Sequence, residues 1–163
     1  MPLEEEIRDV FPKSFIVYKP KDVVSGDFYW FSQVDGFYVL AVADSTGHGV
    51  PGAFMSMIGN DMLNQVVNDG RMSNPAEALE LMDKKIGKAL TKGRDSRETK
   101  EGIEMAMVTF NMEFSSMLFS GAGRPVFILR NGEILEYKPT NRTLGIFSAD
   151  REPFRLQTIP LEK

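Results

Sequence analysis

Phe28-Tyr29-Trp30-Phe31-Ser32-Gln33-Val34-Asp35-Gly36-Phe37-Tyr38-Val39-Leu40-Ala41-Val42-Ala43-Asp44 is the stretch that decides the fold. Residues 28–34 are rich in aromatic side chains, which suit a pleated, half-buried surface. Asp35-Gly36 supplies the two residues that a tight hairpin turn demands. Phe37 to Ala43 is almost wholly apolar and reads as a buried central strand. The hairpin also sets a register, because the start of its first strand must lie beside the end of its second. Asp27 and Asp44 are therefore expected as neighbours at one edge of the sheet. Two close carboxylates repel unless a cation or a proton lies between them. The chain has no cysteine and one histidine, so oxygen donors dominate and Mg²⁺ or Mn²⁺ is favoured over zinc. The alternative is that Asp27 caps a turn and Asp44 opens a loop, as aspartates commonly do.

Working outward, Asp44-Ser45-Thr46-Gly47-His48-Gly49 leaves the strand and enters a helix. The glycines let backbone approach a ligand closely, and the helix N-terminus beyond favours anions. His48 lacks the partners a zinc site needs. A Ser45–His48 nucleophile pair would sit on one tight turn with no orienting acid. The helix is expected from Pro51 to Asn68, with Phe54, Ile58, Met62 and Val66 at helical spacing. A second helix starts at Asn74-Pro75, with Glu77 placed for a capping box. Leu79, Met82, Ile86 and Leu90 form its stripe, and Gly93 can cap its end. Residues 94–101 are polar and read as a mobile loop.

Strands follow at Met105–Phe110, Ser115–Phe119, Val126–Arg130, Glu133–Tyr137 and Phe154–Ile159. The pair around Asn131-Gly132 carries the strongest short hairpin signal. Upstream, Leu3–Val10 reads as a short acidic helix ended by Pro12, and Phe15–Tyr18 as a strand closed by Pro20. Strands, two adjacent helices, then strands again indicate an α+β layered fold with mainly antiparallel sheets, not a βαβ alternation.

The chain has 163 residues, of which 42% are hydrophobic and 26% charged, as suits one globular domain with its own core. The net charge of −4 argues against nucleic acid as a partner. The basic stretch from Lys84 to Lys100 reads as solvated surface. No apolar run reaches the roughly 20 residues of a membrane-spanning helix. The acidic N-terminus lacks the features of a secretory signal. With no cysteines, these features fit a cytoplasmic protein.

Two segments carry a specific likeness. Val24-Ser25-Gly26-Asp27-Phe28-Tyr29-Trp30 and Val42-Ala43-Asp44-Ser45-Thr46-Gly47-His48-Gly49-Val50-Pro51-Gly52-Ala53 resemble the first two metal motifs of SpoIIE/RsbU-type serine phosphatases, the bacterial branch of the type 2C-like metal-dependent enzymes. Lys19-Pro20-Lys21-Asp22, Ser120-Gly121-Ala122-Gly123-Arg124-Pro125, Leu129-Arg130-Asn131-Gly132-Glu133 and Leu144-Gly145-Ile146 extend the resemblance along the chain.

The resemblance implies a two-layer antiparallel β-sandwich flanked by helices. It implies hydrolysis of phosphoserine or phosphothreonine on a regulatory protein, in this family often an anti-sigma-factor antagonist. Two Mn²⁺ or Mg²⁺ ions would share a bridging water and activate it as nucleophile. Asp44 maps onto the carboxylate that bridges the ions, the Ser45 main-chain carbonyl onto the ligand that follows it, and Asp27 onto the acidic ligand of the first motif. Glu104 stands where many relatives have an aspartate and is read as an accessory ligand or a solvated strand-end acid.

The family's two later metal-binding aspartates find no match here. The expectation is therefore a piece of a longer protein whose domain is incomplete at its C-terminal end, binding metal weakly and turning over poorly. Residues 1–12 are expected to end a linker helix from an upstream sensory module, 13–163 to form the phosphatase domain, and the parent to be cytoplasmic or membrane-tethered. An open sheet edge would favour a homodimer. The alternatives are a catalytically silent pseudo-phosphatase module, or a nucleotide- or phosphate-binding protein, for which no Walker or Gly-x-Gly-x-x-Gly pattern is present.

Overall fold

The computed structural model describes residues 2–20, 23–47, 49–91, 101–146 and 151–161. Its elements are α1 (Glu4–Val10), β1 (Phe28–Val34), β2 (Phe37–Ser45), α2 (Val50–Leu63), α3 (Pro75–Leu90), β3 (Ile103–Asn111), β4 (Ser116–Ala122), β5 (Val126–Arg130), β6 (Glu133–Tyr137) and β7 (Gln157–Pro160). Five strands form one antiparallel sheet in the order β1-β2-β3-β4-β7, and β5-β6 form a separate two-stranded sheet. The result is the expected α+β architecture with antiparallel sheets and helices.

The two short hairpins form as their turn residues dictate. Asp35 and Gly36 take φ of 50° and 79°, and Asn131 and Gly132 take 52° and 82°. Positive φ at both central residues matches the right-handed twist of the flanking strands. The first turn fixes Val34 opposite Phe37 and Phe28 opposite Ala43.

One face of the large sheet carries α2 and α3. Phe28, Trp30, Val39, Ala41, Ala43, Met105 and Met107 from the strands meet Met55, Leu63, Leu79, Met82 and Ile86 from the helices in one buried cluster. The other face carries the β5–β6 hairpin over the β3–β4–β7 half, where Met117, Phe119 and Ile159 are buried against Val108, Phe110, Val126 and Ile128. Over the β1–β2 half the second layer gives way to an open groove. Strand β2 is therefore central in pairing but buried on one face only, and Val42 is 62% exposed.

Several expectations shift in detail. Phe15–Tyr18 forms no strand, because no described strand offers it a ladder. Phe15 and Val17 stand in solvent, and the Tyr18 hydroxyl donates to the Asp27 carbonyl at 3.1 Å. The expected stripe of this helix holds at Val66, which is buried, and at Ile58 and Met62, which pack against the core, and fails at Phe54. Met55, Gly59 and Leu63 are buried while Phe54 is 61% exposed. Gly59 is the reason, since a Cβ there would stand 2.7 Å from Phe28 Cζ and 2.8 Å from Ile103 Cδ1. That close approach turns the small-residue face, not the Phe54 face, toward the sheet. The helix continues into a π-helical turn, Asn64–Asp69, closed by the Gly70 N–H donating to Gln65 O at 3.0 Å.

Helix α3 begins as read: the Asn74 side chain accepts from the Ala76 and Glu77 N–H groups. The Glu77 carboxylate, however, accepts from the Asn74 side-chain amide and not from backbone. Gly93 and most of the loop at 94–101 lie outside the described residues. Strand β7 starts at Gln157, not Phe154, because Phe154 is buried beneath the Arg142 guanidinium, 3.9 Å from its ring centroid. Helix α1 packs back on the groove side. Its Ile7 is buried, and Phe11 makes edge contacts with Phe31, Tyr38, Phe110 and Phe114.

Candidate functional site

The sheet register builds the site. Phe28 opposite Ala43 places Asp27, one residue before β1, beside Asp44 near the end of β2. Asp44 in turn stands opposite Glu104 at the start of β3. Side chains alternate along a strand, so Asp44 and Glu104 share the groove face with Val42 and Ala106, away from the helices. Three carboxylates thus lie in a row across one edge of one sheet. Asp27, Asp44 and Arg124 line a cavity of about 900 Å³ that extends along Tyr18, Tyr29 and Val42 to Pro125 and Phe127.

Each acid is held locally. The Asp27 N–H donates to Ser25 Oγ at 3.0 Å, a turn contact that fixes the approach to β1. The Asp27 carboxyl is pushed above its ordinary range, first by partial burial, then by hydrogen bonding to Asp44 and the charge of Asp44, with Arg124 opposing. This is the repulsion expected of two close carboxylates. Arg124 supplies positive charge at the cluster: its guanidinium pairs with Asp44 Oδ2, and its Nε lies 3.0 Å from Glu104 Oε2.

Ser45 follows the alternation to the opposite face. It is buried, and its hydroxyl is among the described buried polar atoms without a hydrogen-bond partner. That position does not suit a nucleophile serving the groove, so the Ser45–His48 pair loses its first member; His48 lies outside the described residues. The Ser45 main-chain carbonyl is different. A Cβ at Gly26 would stand 3.0 Å from it and 3.2 Å from the Gly47 carbonyl, so glycine at 26 is what lets the two loops approach this closely. The glycines of the two motifs thus serve close packing of the two loops under the acids.

The donor set is all oxygen. Asp27, Asp44 and the Ser45 carbonyl, completed by water, are what a magnesium-like ion uses, since it keeps several waters and takes one or two carboxylates. Among the described residues no three acidic or histidine side chains close on a single point as a ready cage. The residue that sequence reasoning missed is Arg124. It lies 80 residues from Asp44 along the chain, and only the tertiary fold brings it there.

A second polar cluster lies far from the groove. Asp83, 2% exposed in its side chain, accepts from Arg142 at 2.6 Å, from Arg151 at 2.7 Å and from the Gly145 N–H at 2.8 Å. Glu80 joins it, accepting from Arg142 at 2.9 Å and from the Phe154 N–H at 2.9 Å. This network ties α3 to the segment that leads into β7. Among the described residues no helix is long and apolar enough to cross a membrane.

Comparison with known proteins adds to this geometry. The family profile described as Stage II sporulation protein E (SpoIIE) matches residues 35–163. The SiaA-PP2C domain of Pseudomonas aeruginosa superimposes with a TM-score of 0.76 at 26% identity, covering 91% of this chain and 56% of that one. The RsbU and RsbW domains of a Mycobacterium tuberculosis protein give 0.64 at 21% identity, covering 87% and 37%. RsbX in complex with magnesium gives 0.59 at 19% identity, covering 90% and 66%. The chain thus spans between about a third and two thirds of each of these structures. No curated protein matches it.

Proposed function

The chain belongs to the SpoIIE family of PP2C-type serine phosphatases, and from that premise we propose that it is the metal-site part of a phosphatase acting on phosphoserine or phosphothreonine in a bacterial regulatory protein. The observation that carries this reading is the row Asp27, Asp44 and Glu104 across three neighbouring strand ends, with Asp27 and Asp44 lining one groove. Asp27, Asp44 and the Ser45 carbonyl would hold Mn²⁺ or Mg²⁺, with Glu104 as an accessory ligand. When bound, such ions supply a nucleophile from water at neutral pH and neutralise the phosphoryl oxygens.

The chain's own residues do the rest. The sheet register fixes the spacing of the acids, Ser25 holds the Asp27 backbone N–H, and Gly26 lets its loop pack close to the Ser45 carbonyl. The groove, apolar along Tyr29, Val42 and Phe127 and acidic at one end, would receive the chain flanking the phosphorylated residue. The magnesium in the RsbX relative supports the choice of metal. The substrate class, a switch protein such as an anti-sigma-factor antagonist, follows from the family resemblance, and a relative named for its RsbU and RsbW domains supports a signalling setting. Helix α1, packed on the groove side through Ile7 and Phe11, would carry the signal of an upstream sensor in a cytoplasmic or membrane-tethered parent, and a homodimer would cover the open face.

A second reading, a pseudo-phosphatase interaction module, is favoured by one observation: Arg124 already neutralises Asp44 and Glu104. The test is Mn²⁺-dependent hydrolysis of a phosphoserine peptide by this chain and by the full-length product of its gene, each with Asp44→Asn beside it. The full-length product is expected to turn over, and Asp44→Asn to lower its rate by about a hundredfold or more, the scale for losing a main electrostatic stabiliser. Absence of turnover in every protein, with manganese and with magnesium, would overturn the phosphatase reading and make the interaction module the better account.

A further inference from the structure

We propose that Arg124 is a built-in counter-cation that competes with a divalent ion for Asp44 and Glu104, so that loading the site exchanges a guanidinium for a metal. The inference rests on the metal-site reading above. Arg124 engages both acids at once, through Nη2 to Asp44 and through Nε to Glu104 at 3.0 Å. Those acids are direct cross-strand partners, so the planar fork of the guanidinium spans the gap between two strands. Arginine stays protonated at any physiological pH. The charge can leave the carboxylates only by movement of the side chain.

Two arginine clusters in the same molecule show why this one is exchangeable. Arg142 is 8% exposed and meets an Asp83 that is 2% exposed. Withdrawing it would take from a buried carboxylate its most buried cation, leaving only Arg151, at 2.7 Å, among the described cations, and breaking buried pairs is strongly unfavourable. Arg124 is 44% exposed, and its partners are 46% and 38% exposed. Such pairs are screened by water and salt and hold weakly. The backbone that carries Arg124 is nevertheless firm. The Gly123 N–H donates to Thr140 O at 3.0 Å, and the Thr140 N–H donates to Gly121 O at 2.9 Å. The side chain is thus free to swing from a fixed root, and the groove that Arg124 already lines offers it room.

A pair that must open before a metal binds lowers the apparent affinity for that metal, by the same linkage that governs any competing ligand. Removing the competitor should tighten binding. The experiment is calorimetric titration of Mn²⁺ into this chain and into Arg124→Gln, Arg124→Lys and Asp44→Asn, with thermal unfolding of each in the absence of metal. Arg124→Gln is expected to bind about three- to tenfold more tightly, the scale of two exposed ion pairs. It is also expected to melt at a lower temperature without metal and to gain more on adding it. Arg124→Lys keeps the charge without the fork and should fall between. A titration with Mg²⁺ supplies a direct readout: the Arg124 Nε–H resonance, identified by its loss in Arg124→Gln, should shift as the ion loads.

If Arg124→Gln binds no more tightly than the parent while Asp44→Asn abolishes binding, the exchange is wrong and the metal site stands. If neither this chain nor Arg124→Gln binds Mn²⁺ while the full-length product turns over with it, the exchange is overturned and the metal-site reading stands; if the full-length product is silent too, both fall. Should Arg124→Gln prove unfolded, an unmoved Nε–H resonance in the parent chain at saturating Mg²⁺ would overturn the exchange on its own.

Discussion

The two faces of the five-stranded sheet are built from the same strands and obey different rules. Toward the helices, alternate residues of β1, β2 and β3 interlock with α2 and α3 in a dry core that includes Trp30, Val39, Met105 and Met82. On the opposite face the neighbours of those same residues, Tyr29, Val42 and Ala106, line a groove with acids at one end. Stability is concentrated on one side and chemistry on the other. A strand separates the two at single-residue resolution because its side chains alternate.

Asp83→Ala should be the most damaging change to the helix side. It removes the most buried carboxylate of the network and leaves Arg142 to Glu80 alone among the acids described, and breaking such a buried pair costs about 3–5 kcal/mol. A denaturant midpoint close to that of the parent chain would contradict the claim that this network anchors α3. Next, Met55→Ala and Phe54→Ala test which face of α2 is inside. The first should cost about 2 kcal/mol or more by leaving a cavity. The second should change stability by no more than about 0.5 kcal/mol, because Phe54 stands mostly in solvent. The reverse order would mean that Phe54, and not Met55, faces the sheet.

Acid offers a smaller effect. Burial alone would raise the pKa of Glu80, but the Phe154 N–H and Arg142 outweigh it and hold the carboxyl below its ordinary value. The folded chain therefore binds the Glu80 proton more weakly than the unfolded chain does. The stabilisation is present above the unfolded pKa of about 4.3 and is lost as pH falls through the lowered folded value. Glu80→Gln should flatten the fall in stability between about pH 5 and pH 3 relative to the parent. An unchanged slope in denaturant titrations would show that Glu80 is not the group responsible. Smallest of all, Val42→Thr on the groove face should shift stability by less than about 0.5 kcal/mol. A larger loss would show that the groove face is packed and not open.

The sequence disclosed the sheet edge more fully than the layers. Asp35-Gly36 fixed a register, and from the register the meeting of Asp27 with Asp44 followed without any tertiary information. Glu104 was visible as a candidate because the family resemblance pointed to its position, and the structure sets it directly opposite Asp44. Phe54 misled because helical spacing counts apolar residues and cannot see that Gly59 lets Phe28 come close. Phe15–Tyr18 misled because a run of β-branched and aromatic residues shows a segment able to be a strand, whereas a ladder needs a partner. Arg124 was hidden because its contacts to Asp44 and Glu104 exist only after β4 has returned across the sheet.

The order in which the acids come together follows from how far apart they lie along the chain. Asp27 and Asp44 are joined by a two-residue turn, and such hairpins form in about 1–10 μs. Glu104 arrives only when β3 pairs with β2, a closure across which Thr46 and Gly102 exchange hydrogen bonds over 56 residues. Closing that span sacrifices far more chain freedom and belongs to the slow, high-contact-order part of folding. During refolding the first two carboxylates therefore face each other before Glu104 and Arg124 are in place. On the proposed metal-site reading, a cation in the refolding buffer would meet that half-assembled pair with no arginine to displace.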